Sequence, residues 1–307
     1  MFNDIGRVDV VIPVYRPGNE FKNIISRLLK QTVVPDNIFL LQTIEGDSEQ
    51  LIKYEDDRIK VYPIKKKDFD HGATRHFGAS LSNAEYIMFM TQDAVPYNNK
   101  LIENIVKPFE DKKIGAVYGR QLAGKDAGLI EKLTRVYNYP KTGSIKTKAD
   151  IERLGIKAYF CSNVCAVYRK ELYDKLGGFV QKTIFNEDMI MASKIINSDF
   201  NVVYCEEAMV VHSHSYTCMQ QFRRNFDLGV SQKQYNEVFE NISSVKEGSG
   251  YAKKMIIMLL KKGHVKDVFY FALQCAFKLA GYKLGKNYDR LPKRIILGCT
   301  MNKGYWN

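Results

Sequence analysis

The feature that most constrains this chain is an apolar run, Tyr86 to Met90, that ends in Thr91-Gln92-Asp93 and is followed by Pro96. Such a run predicts a strand buried in a central sheet, and Pro96 cannot continue the hydrogen-bonding ladder. In open α/β sheets, ligands bind at the carboxyl ends of the strands. Asp93 is therefore expected at a site, where its carboxylate suits a divalent cation held against a diphosphate. A turn-capping aspartate is the alternative for this residue taken alone.

Strand and helix patterns alternate through the first part of the chain. Val8–Val14 and Ile38–Leu41 have the pattern of buried strands, and Glu20–Lys30 between them has apolar residues at helical spacing. This alternation predicts an α/β fold with a mostly parallel, doubly wound sheet. Further along, the sequence predicts a flexible loop at Gly143–Lys148 and a strand at Ala158–Tyr168.

Cysteine usage and hydropathy favour a cytoplasmic protein. Cys161 and Cys165 are four residues apart with no second close pair, so a zinc site is disfavoured and free thiols are expected. There is no uncharged apolar stretch of about 18 residues, and the first residues lack a signal-peptide pattern.

The net charge of +12 is concentrated at the end of the chain. Residues 251–307 hold twelve Lys and Arg against two Asp, whereas residues 1–250 hold 34 against 32 Asp and Glu. We expect a catalytic domain at 1–242, a linker at 243–250, and a basic, helical extension at 251–307.

Two further segments are candidates for phosphate binding. Pro13, Tyr15 and Arg16 follow the first strand, where backbone amides and an aromatic ring could meet a base or a phosphate. In Asp68–Gly78 a helix is expected to open near Thr74, and Arg75 would complete an anion pocket. An ordinary proline turn and a helix cap with a surface arginine are the alternatives.

Two later segments are candidates for acid–base chemistry and metal binding. Glu187 and Asp188 open a helix, so one of them could deprotonate an acceptor hydroxyl, although the helix dipole alone favours acids there. His212 and His214 would share a face if their strand continues, and imidazole binds transition-series cations. Plain strand histidines are the alternative.

In order and spacing these segments resemble the nucleotide-sugar glycosyltransferases of family 2, whose α/β fold is called GT-A. The resemblance covers approximately residues 8 to 235 and is closest to the bacterial rhamnosyltransferase branch. It rests on four motifs: His71-Gly-Ala-Thr-Arg75, Thr91-Gln-Asp-Ala94, Phe185-Asn-Glu-Asp188 and Cys218–Gly229.

The resemblance implies a role for each candidate residue. Asp188 would be the catalytic base, with Glu187 orienting it or binding the acceptor, and Asp93 with His212 or His214 would bind Mn²⁺ or Mg²⁺. Gln92 replaces the first acid of the family's Asp-X-Asp motif. The residues expected to bind the nucleotide sugar are Pro13, Tyr15, Arg16, Gln42, Thr43, His71, Thr74, Arg75, Gln92 and Asp93. Because Gln42 and Thr43 stand where the family usually has an acid, the choice of base stays open.

The implied activity is an inverting, metal-dependent transfer of L-rhamnose from dTDP-rhamnose to a growing, lipid-linked bacterial surface polysaccharide. A UDP-hexose-dependent enzyme of the same fold and a nucleotide-binding, non-catalytic relative are the alternatives. Lysines among apolar helices in residues 251–294 indicate peripheral contact with the anionic inner face of the cell membrane, or else a helical pair packed on the catalytic domain. An RNA-binding function is disfavoured because the tail lacks Arg-rich runs.

Overall fold

The computed structural model describes residues 6–18, 20–46, 49–240 and 244–306. These residues form two compact units. The sheet unit contains the described parts of 1–122, 139–182 and 187–212, and the helical unit contains those of 123–138, 183–186 and 213–307.

A single mixed sheet forms the centre of the sheet unit. Its strands are β1 Val8–Val14, β2 Asn37–Ile44, β3 Ile59–Lys65, β4 Tyr86–Met90, β5 Val95–Pro96, β6 Ile114–Leu122, β7 Ser144–Lys146, β8 Cys165–Arg169 and β9 Asn201–Val211. The order is β3-β2-β1-β4-β8-β6-β9-β5, with β7 pairing with β9. Strand β8 runs antiparallel to its neighbours β4 and β6, while the other long strands are parallel to one another. The carboxyl ends of β1–β4, β6 and β9 and the amino end of β8 therefore share one edge, called the site edge below.

The α-helices are, in chain order, α1 Glu20–Leu28, α2 His71–Ser80, α3 Leu101–Val106, α4 Leu129–Asn138, α5 Ile151–Leu154, α6 Lys170–Lys175, α7 Glu187–Asn197, α8 Cys218–Gln234, α9 Asn236–Phe239, α10 Ser244–Lys261, α11 Val265–Gly285 and α12 Lys293–Cys299. Within the described residues, none of them has both the length and the hydropathy that a membrane span requires.

The core of the sheet unit forms because β1 and β4 are apolar on both faces. Val10, Ile12 and Met88 are fully buried, and they belong to one cluster with Ile24 and Leu28 on the apolar face of α1. A strand covered on both sides cannot alternate polar and apolar residues. The run that defined β4 in the sequence is thus explained by its place in the middle of the sheet.

The helical unit is organised by a close crossing of α8 and α11. A Cβ atom at Gly281 or Gly285 would overlap the backbone of Phe222 or Phe226 on α8. Glycine is needed at these two positions because any side chain would push the helices apart. A separate apolar cluster of Leu133, Met255, Leu259 and Phe271 holds α4, α10 and α11 together.

Three expectations about local structure were wrong. The loop expected at 143–148 contains β7, where Lys146 is buried, donates to the Phe160 carbonyl at 2.6 Å and lies over the Tyr118 ring. The strand expected at 158–168 begins only at Cys165. The segment expected to be a linker, 243–250, is helical from Ser244, so α10 begins about two turns earlier than expected. Glu247 in this segment accepts a hydrogen bond from Tyr137 at 3.1 Å, which ties it to α4. Residue 243 lies outside the described residues.

Candidate functional site

The ends of β1, β2 and β3 bring together an aromatic ring and three charged groups. The Tyr15 hydroxyl donates to Glu45 at 2.6 Å, and Lys66 and Arg16 approach the same carboxylate at 2.6 and 2.8 Å. Lys66 first and then Tyr15 lower the pKa of Glu45 to about 2 through their hydrogen bonds. A cavity of about 290 Å³ opens beside this carboxylate, lined by Ile44, Glu45, Gly46, Lys65, Lys66 and Lys67. The cluster offers a ring for stacking and cations for phosphate.

The predicted site residue Gln92 fixes the shape of this turn. The Gln92 side chain accepts from the Tyr15 amide at 2.7 Å and donates to the Tyr15 carbonyl at 3.0 Å. Pro13 lies within β1, opposite Leu41 of β2. Because both ends of the Gln92 amide are engaged by the backbone, its role in this structure is to hold Tyr15 in place.

Gln42 and Thr43 lie near the carboxyl end of β2, and both are buried. The Gln42 side chain donates to the Gln50 carbonyl at 3.2 Å and accepts from the Ile52 amide at 2.9 Å. It therefore anchors the segment after β2. The acid at the end of this strand is Glu45, three residues beyond Gln42, a position that the sequence analysis passed over.

Helix α2 begins at His71, three residues earlier than expected, because Asp70 caps it. The Asp70 carboxylate accepts from the amides of Gly72 and Ala73 at 2.9 and 2.8 Å, as an N-cap does. His71 packs edge-to-face on Phe69. Thr74 and Arg75 follow in the first turns, and both are buried.

Arg75 and the two acids at the start of α7 form the centre of the site. Arg75 Nη1 lies 3.2 Å from Glu187 Oε1, with both side chains almost completely buried. Asn163 contacts both acids: its side chain donates to Glu187 Oε1 at 3.2 Å, and its backbone amide donates to Asp188 Oδ2 at 3.2 Å. The Tyr168 hydroxyl donates to Asn163 Oδ1 at 3.0 Å. Asn163 is thus the shared partner of the two carboxylates.

This environment gives the two acids opposite protonation behaviour. Burial, and next the charge of Glu187, raise the pKa of Asp188 to about 7. Burial acts in the same sense on Glu187, but Arg75, His71 and Asn163 together outweigh it and lower the pKa of that carboxyl. Two neighbouring carboxyls whose pKa values are driven apart are typical of acid–base sites. Glu187 is suited to fix Arg75, and Asp188 to take up a proton near neutral pH.

Asp93 and His212 form a second centre. His212 Nε2 lies 3.5 Å from Asp93 Oδ1. The other ring nitrogen, Nδ1, is 3.0 Å from Gln121 Oε1, which holds Nε2 toward Asp93. A carboxylate and an imidazole oriented through its second nitrogen are an arrangement that suits a divalent transition-series cation.

His212 and His214 were expected to share a face only if their strand continued, and β9 ends at Val211. His214 belongs to the helical unit, where its ring stacks on Tyr216.

Strand pairing places the two centres at the same edge of the sheet. Met90 of β4 pairs with Cys165 of β8, and the Thr91 amide donates to the Val164 carbonyl at 3.3 Å. The segment that carries Asp93 therefore runs beside the segment that carries Asn163, which holds Asp188. The family resemblance had assigned both carboxylates to one site, and the strand pairing supplies the segments that bring them to the same edge of the sheet.

Some polar atoms near the site edge have no hydrogen-bond partner within the part of the chain that the structure describes. They are Thr43 Oγ1, Thr91 Oγ1 and Arg75 Nε. Buried polar atoms are nearly always satisfied in folded proteins. Their grouping here is the pattern expected of a site that binds a polar ligand.

The sequence analysis missed four residues of the site: Glu45, Lys66, Gln121 and Asn163. Asn163 lies between two cysteines in a segment assigned to a strand, and Gln121 lies near the end of the apolar β6 run. The available signal was a polar residue at the end of an apolar run, the same signal that identified Asp93.

Comparison with curated proteins finds two relatives that match over nearly their whole length. The chain is 38% identical over 306 residues to the O-antigen chain rhamnosyltransferase RfbN of Salmonella typhimurium, covering 98% of this chain and 96% of that protein. It is 36% identical over 306 residues to the O-antigen chain rhamnosyltransferase WbaN of Salmonella anatum, covering 97% and 95%.

The fold also matches solved structures. The mannosyltransferase PcManGT from Pyrobaculum calidifontis, in complex with GDP-Man and Mn²⁺, superposes with a TM-score of 0.60 at 13% identity, over 94% of this chain and 89% of that one. At that identity the likeness concerns the fold alone, and it agrees with the expected GT-A architecture. The glycosyl transferase family 2 model matches residues 9–177. The chain therefore belongs to glycosyl transferase family 2, and it is a glycosyltransferase.

Proposed function

We propose that this chain is an inverting, metal-dependent rhamnosyltransferase that uses dTDP-L-rhamnose to extend a lipid-linked bacterial surface polysaccharide. The transfer of rhamnose is proposed because the chain matches two rhamnosyltransferases along almost its whole length. The observation that carries the mechanism is the half-buried Asp188, whose raised pKa suits a base, at the same sheet edge as the Asp93–His212 pair.

On the donor side, cationic groups would neutralise the diphosphate. Arg75 and the start of α2, with His71 and Thr74, face one part of the proposed phosphate path, while Pro13, Tyr15 and Arg16 flank the nucleoside. Lys66 and Glu45 stand beside the cavity at the end of β2, where polar edges of a pyrimidine base could be bound. The charge on the leaving group is the main obstacle to transfer, so these cations act where charge develops.

The residues proposed to hold Mn²⁺ or Mg²⁺ are Asp93, His212 and His214. His214 is two residues from His212, so chain geometry alone keeps their Cα atoms within about 7 Å. When bound, the cation would polarise the diphosphate as a Lewis acid. Asp93 contributes negative charge, and Gln121 keeps the His212 ring in the binding orientation.

On the acceptor side, Asp188 would take the proton of the attacking hydroxyl. Its raised pKa places the base near neutral pH, where proton transfer is efficient. A single base is sufficient for one displacement with inversion at the anomeric carbon. Glu187 is proposed to hold Arg75 and Asn163 in position, which favours the orienting role over direct acceptor binding.

A membrane-linked acceptor would place the enzyme at the inner face of the cell membrane, with the basic residues of 251–294 toward anionic lipid. The two alternatives are a UDP-hexose donor, because Gln42 leaves the base contact open, and a non-catalytic nucleotide-binding relative.

Incubation with dTDP-rhamnose, UDP-glucose and UDP-N-acetylglucosamine, each with a lipid-linked acceptor and with or without Mn²⁺, tests the proposal. We expect release of dTDP only, dependent on both acceptor and metal. Release of UDP would show instead that the donor is a UDP-sugar. Binding of nucleotide without turnover for any donor would favour the non-catalytic relative.

A further inference from the structure

Helices α10 and α11 of the helical unit meet in a tight turn at residues 262–264, where Gly263 has a φ of +76°. We call residues 257–273 the hairpin tip. Around this turn, large apolar side chains point away from the protein, and Phe269 is 74% exposed. The other exposed apolar residues of the hairpin tip are Ile257, Leu260, Val265, Tyr270 and Leu273.

The core of the helical unit does not need these side chains. Met255, Leu259 and Phe271 on the opposite faces of α10 and α11 are completely buried against Leu133 of α4. The hairpin thus has one apolar face that packs inside its own unit and a second that faces outward. Contiguous exposed apolar surface of this kind marks an interaction site.

The charges around the hairpin tip indicate what the outward face meets. Lys261, Lys262 and Lys266 are exposed next to the apolar residues. The acid in this region, Asp267, is engaged by His264 at 2.9 Å. The hairpin tip therefore combines apolar side chains at its centre with a positive rim.

Other basic residues of the tail are engaged within the helical unit. Lys278 lies over the Tyr251 ring, and burial lowers its pKa. Lys286 donates to the Gln232 carbonyl at 3.2 Å, and Lys254 lies over the Tyr137 ring. These three residues stabilise the fold, whereas Lys253, Lys283, Arg290, Lys293 and Arg294 are exposed elsewhere in the helical unit. The hairpin tip is distinguished by exposed lysines that lie beside a group of exposed apolar side chains.

We propose that the hairpin tip docks on an anionic phospholipid bilayer. Leu260, Val265 and Phe269 enter the boundary between headgroups and acyl chains, and the lysines remain at the phosphates because their long stems let the ammonium groups stay in water. Anionic lipid is favoured as the partner because it supplies both an apolar layer and a sheet of negative charge. The inference deepens the proposed function by naming the membrane contact, and it rests on that function only for its biological purpose.

Vesicle flotation of the full chain tests the docking, with vesicles of phosphatidylcholine alone and of phosphatidylcholine mixed with phosphatidylglycerol. Wild type should float with the mixed vesicles and remain in solution with the neutral ones. Phe269→Asp and the double variant Lys261→Glu/Lys262→Glu should each weaken binding roughly tenfold or more. Val136→Asp is the matched control, because Val136 is another well-exposed apolar residue, at 59%, on α4 of the same unit. It should bind like wild type.

Several outcomes would overturn the proposal. The first is that wild type does not float with anionic vesicles. The second is that Phe269→Asp binds these vesicles as tightly as wild type. The third is that the chain self-associates without binding vesicles and that Phe269→Asp abolishes this self-association. Circular dichroism and Tm confirm that each variant is folded. The vesicle assay contains no donor, and Phe269→Asp should retain donor-dependent nucleotide release with a water-soluble acceptor. Failure of the membrane contact and failure of the proposed transfer are therefore separable.

Discussion

Arg75 Nη1 and Glu187 Oε1 lie 3.2 Å apart, and their side chains are 8% and 9% exposed. The pair joins the first turns of α2 and α7, two helices separated by more than a hundred residues of sequence. It connects the proposed phosphate path to the helix that carries Asp188. Burying two charges costs free energy that only good partners recover, so the pair is expected to be kept for the site rather than for the fold.

Removing one member of this pair should lower the free energy of unfolding of the protein. Glu187→Ala leaves the Arg75 guanidinium buried without its counter-charge, which typically costs about 3–5 kcal/mol. We expect a clear fall in Tm by calorimetry, at about 2–4 °C per kcal/mol for a domain of this size. Asp199→Asn is the control, because Asp199 pairs with Lys148 on the surface, where a pair contributes about 0–1 kcal/mol, and Asn tolerates the φ of +63° at this position. Equal Tm losses in the two variants would contradict a strongly coupled buried pair.

Asn163 should control the pH dependence of transfer. Asn163→Asp places a third carboxyl beside Glu187 and Asp188, and like charge raises the pKa of a carboxyl. The acidic limb of kcat against pH should therefore move to higher pH, and kcat at pH 7 should fall. Tyr168→Phe is the control: it removes the hydroxyl that donates to Asn163 but adds no charge, so it should lower Tm and leave the acidic limb in place. An unmoved limb in Asn163→Asp would show that Asn163 does not influence the base.

The sequence predicted the fold through its apolar runs. Tyr86–Met90 became β4, and Glu20–Lys30 contains α1, because both patterns record burial directly. The antiparallel direction of β8 was not predicted, because apolar runs buried on both faces do not encode direction. Register was likewise hidden, so the expectation that Asp188 and Asp93 serve one site rested on the family resemblance and not on the periodicity.

Site residues with ordinary local patterns were harder to predict. Asp93 follows an obvious strand and Asp188 opens an obvious helix, whereas Asn163 acquires its role only when β8 pairs with β4. Lys146 was assigned to a loop because the segment around it is polar, yet its ammonium group lies over the rings of Tyr118 and Phe160. The local periodicity of a sequence carries no information about tertiary partners of this kind.

Metal binding should depend on a residue that does not touch the ion. Gln121 fixes the His212 ring through a 3.0 Å contact, and loss of such an orienting partner typically costs 10–100-fold in metal affinity, about what we expect for Gln121→Ala. Isothermal titration with Mn²⁺, with no donor present, measures this. Gln31→Ala is the control, because Gln31 is equally buried but bonds to Arg27 and Asn98 carbonyls away from the site. Unchanged Mn²⁺ affinity in Gln121→Ala would argue against His212 as a ligand.

Asp188 should limit both activity and stability through the same raised pKa. As a base it must be ionised, so kcat should fall as pH drops through about 7, and Asp188→Asn should lower kcat by roughly 10²–10⁴-fold. For stability the sign is opposite: a folded-state pKa above the unfolded value stabilises the fold at low pH, and this stabilisation is lost as pH rises through the folded pKa. Asp188→Asn avoids that loss while its side-chain oxygen can still accept from the Asn163 amide. Its Tm should therefore exceed that of wild type at pH 8, with little difference only below about pH 4, where the carboxyl is protonated in both the folded and the unfolded protein. The exposed Asp199→Asn should show no such divergence. Full transfer activity in Asp188→Asn would show that Asp188 is not the base. A lower Tm than wild type at pH 8 would show that the ionised Asp188 does not destabilise the fold.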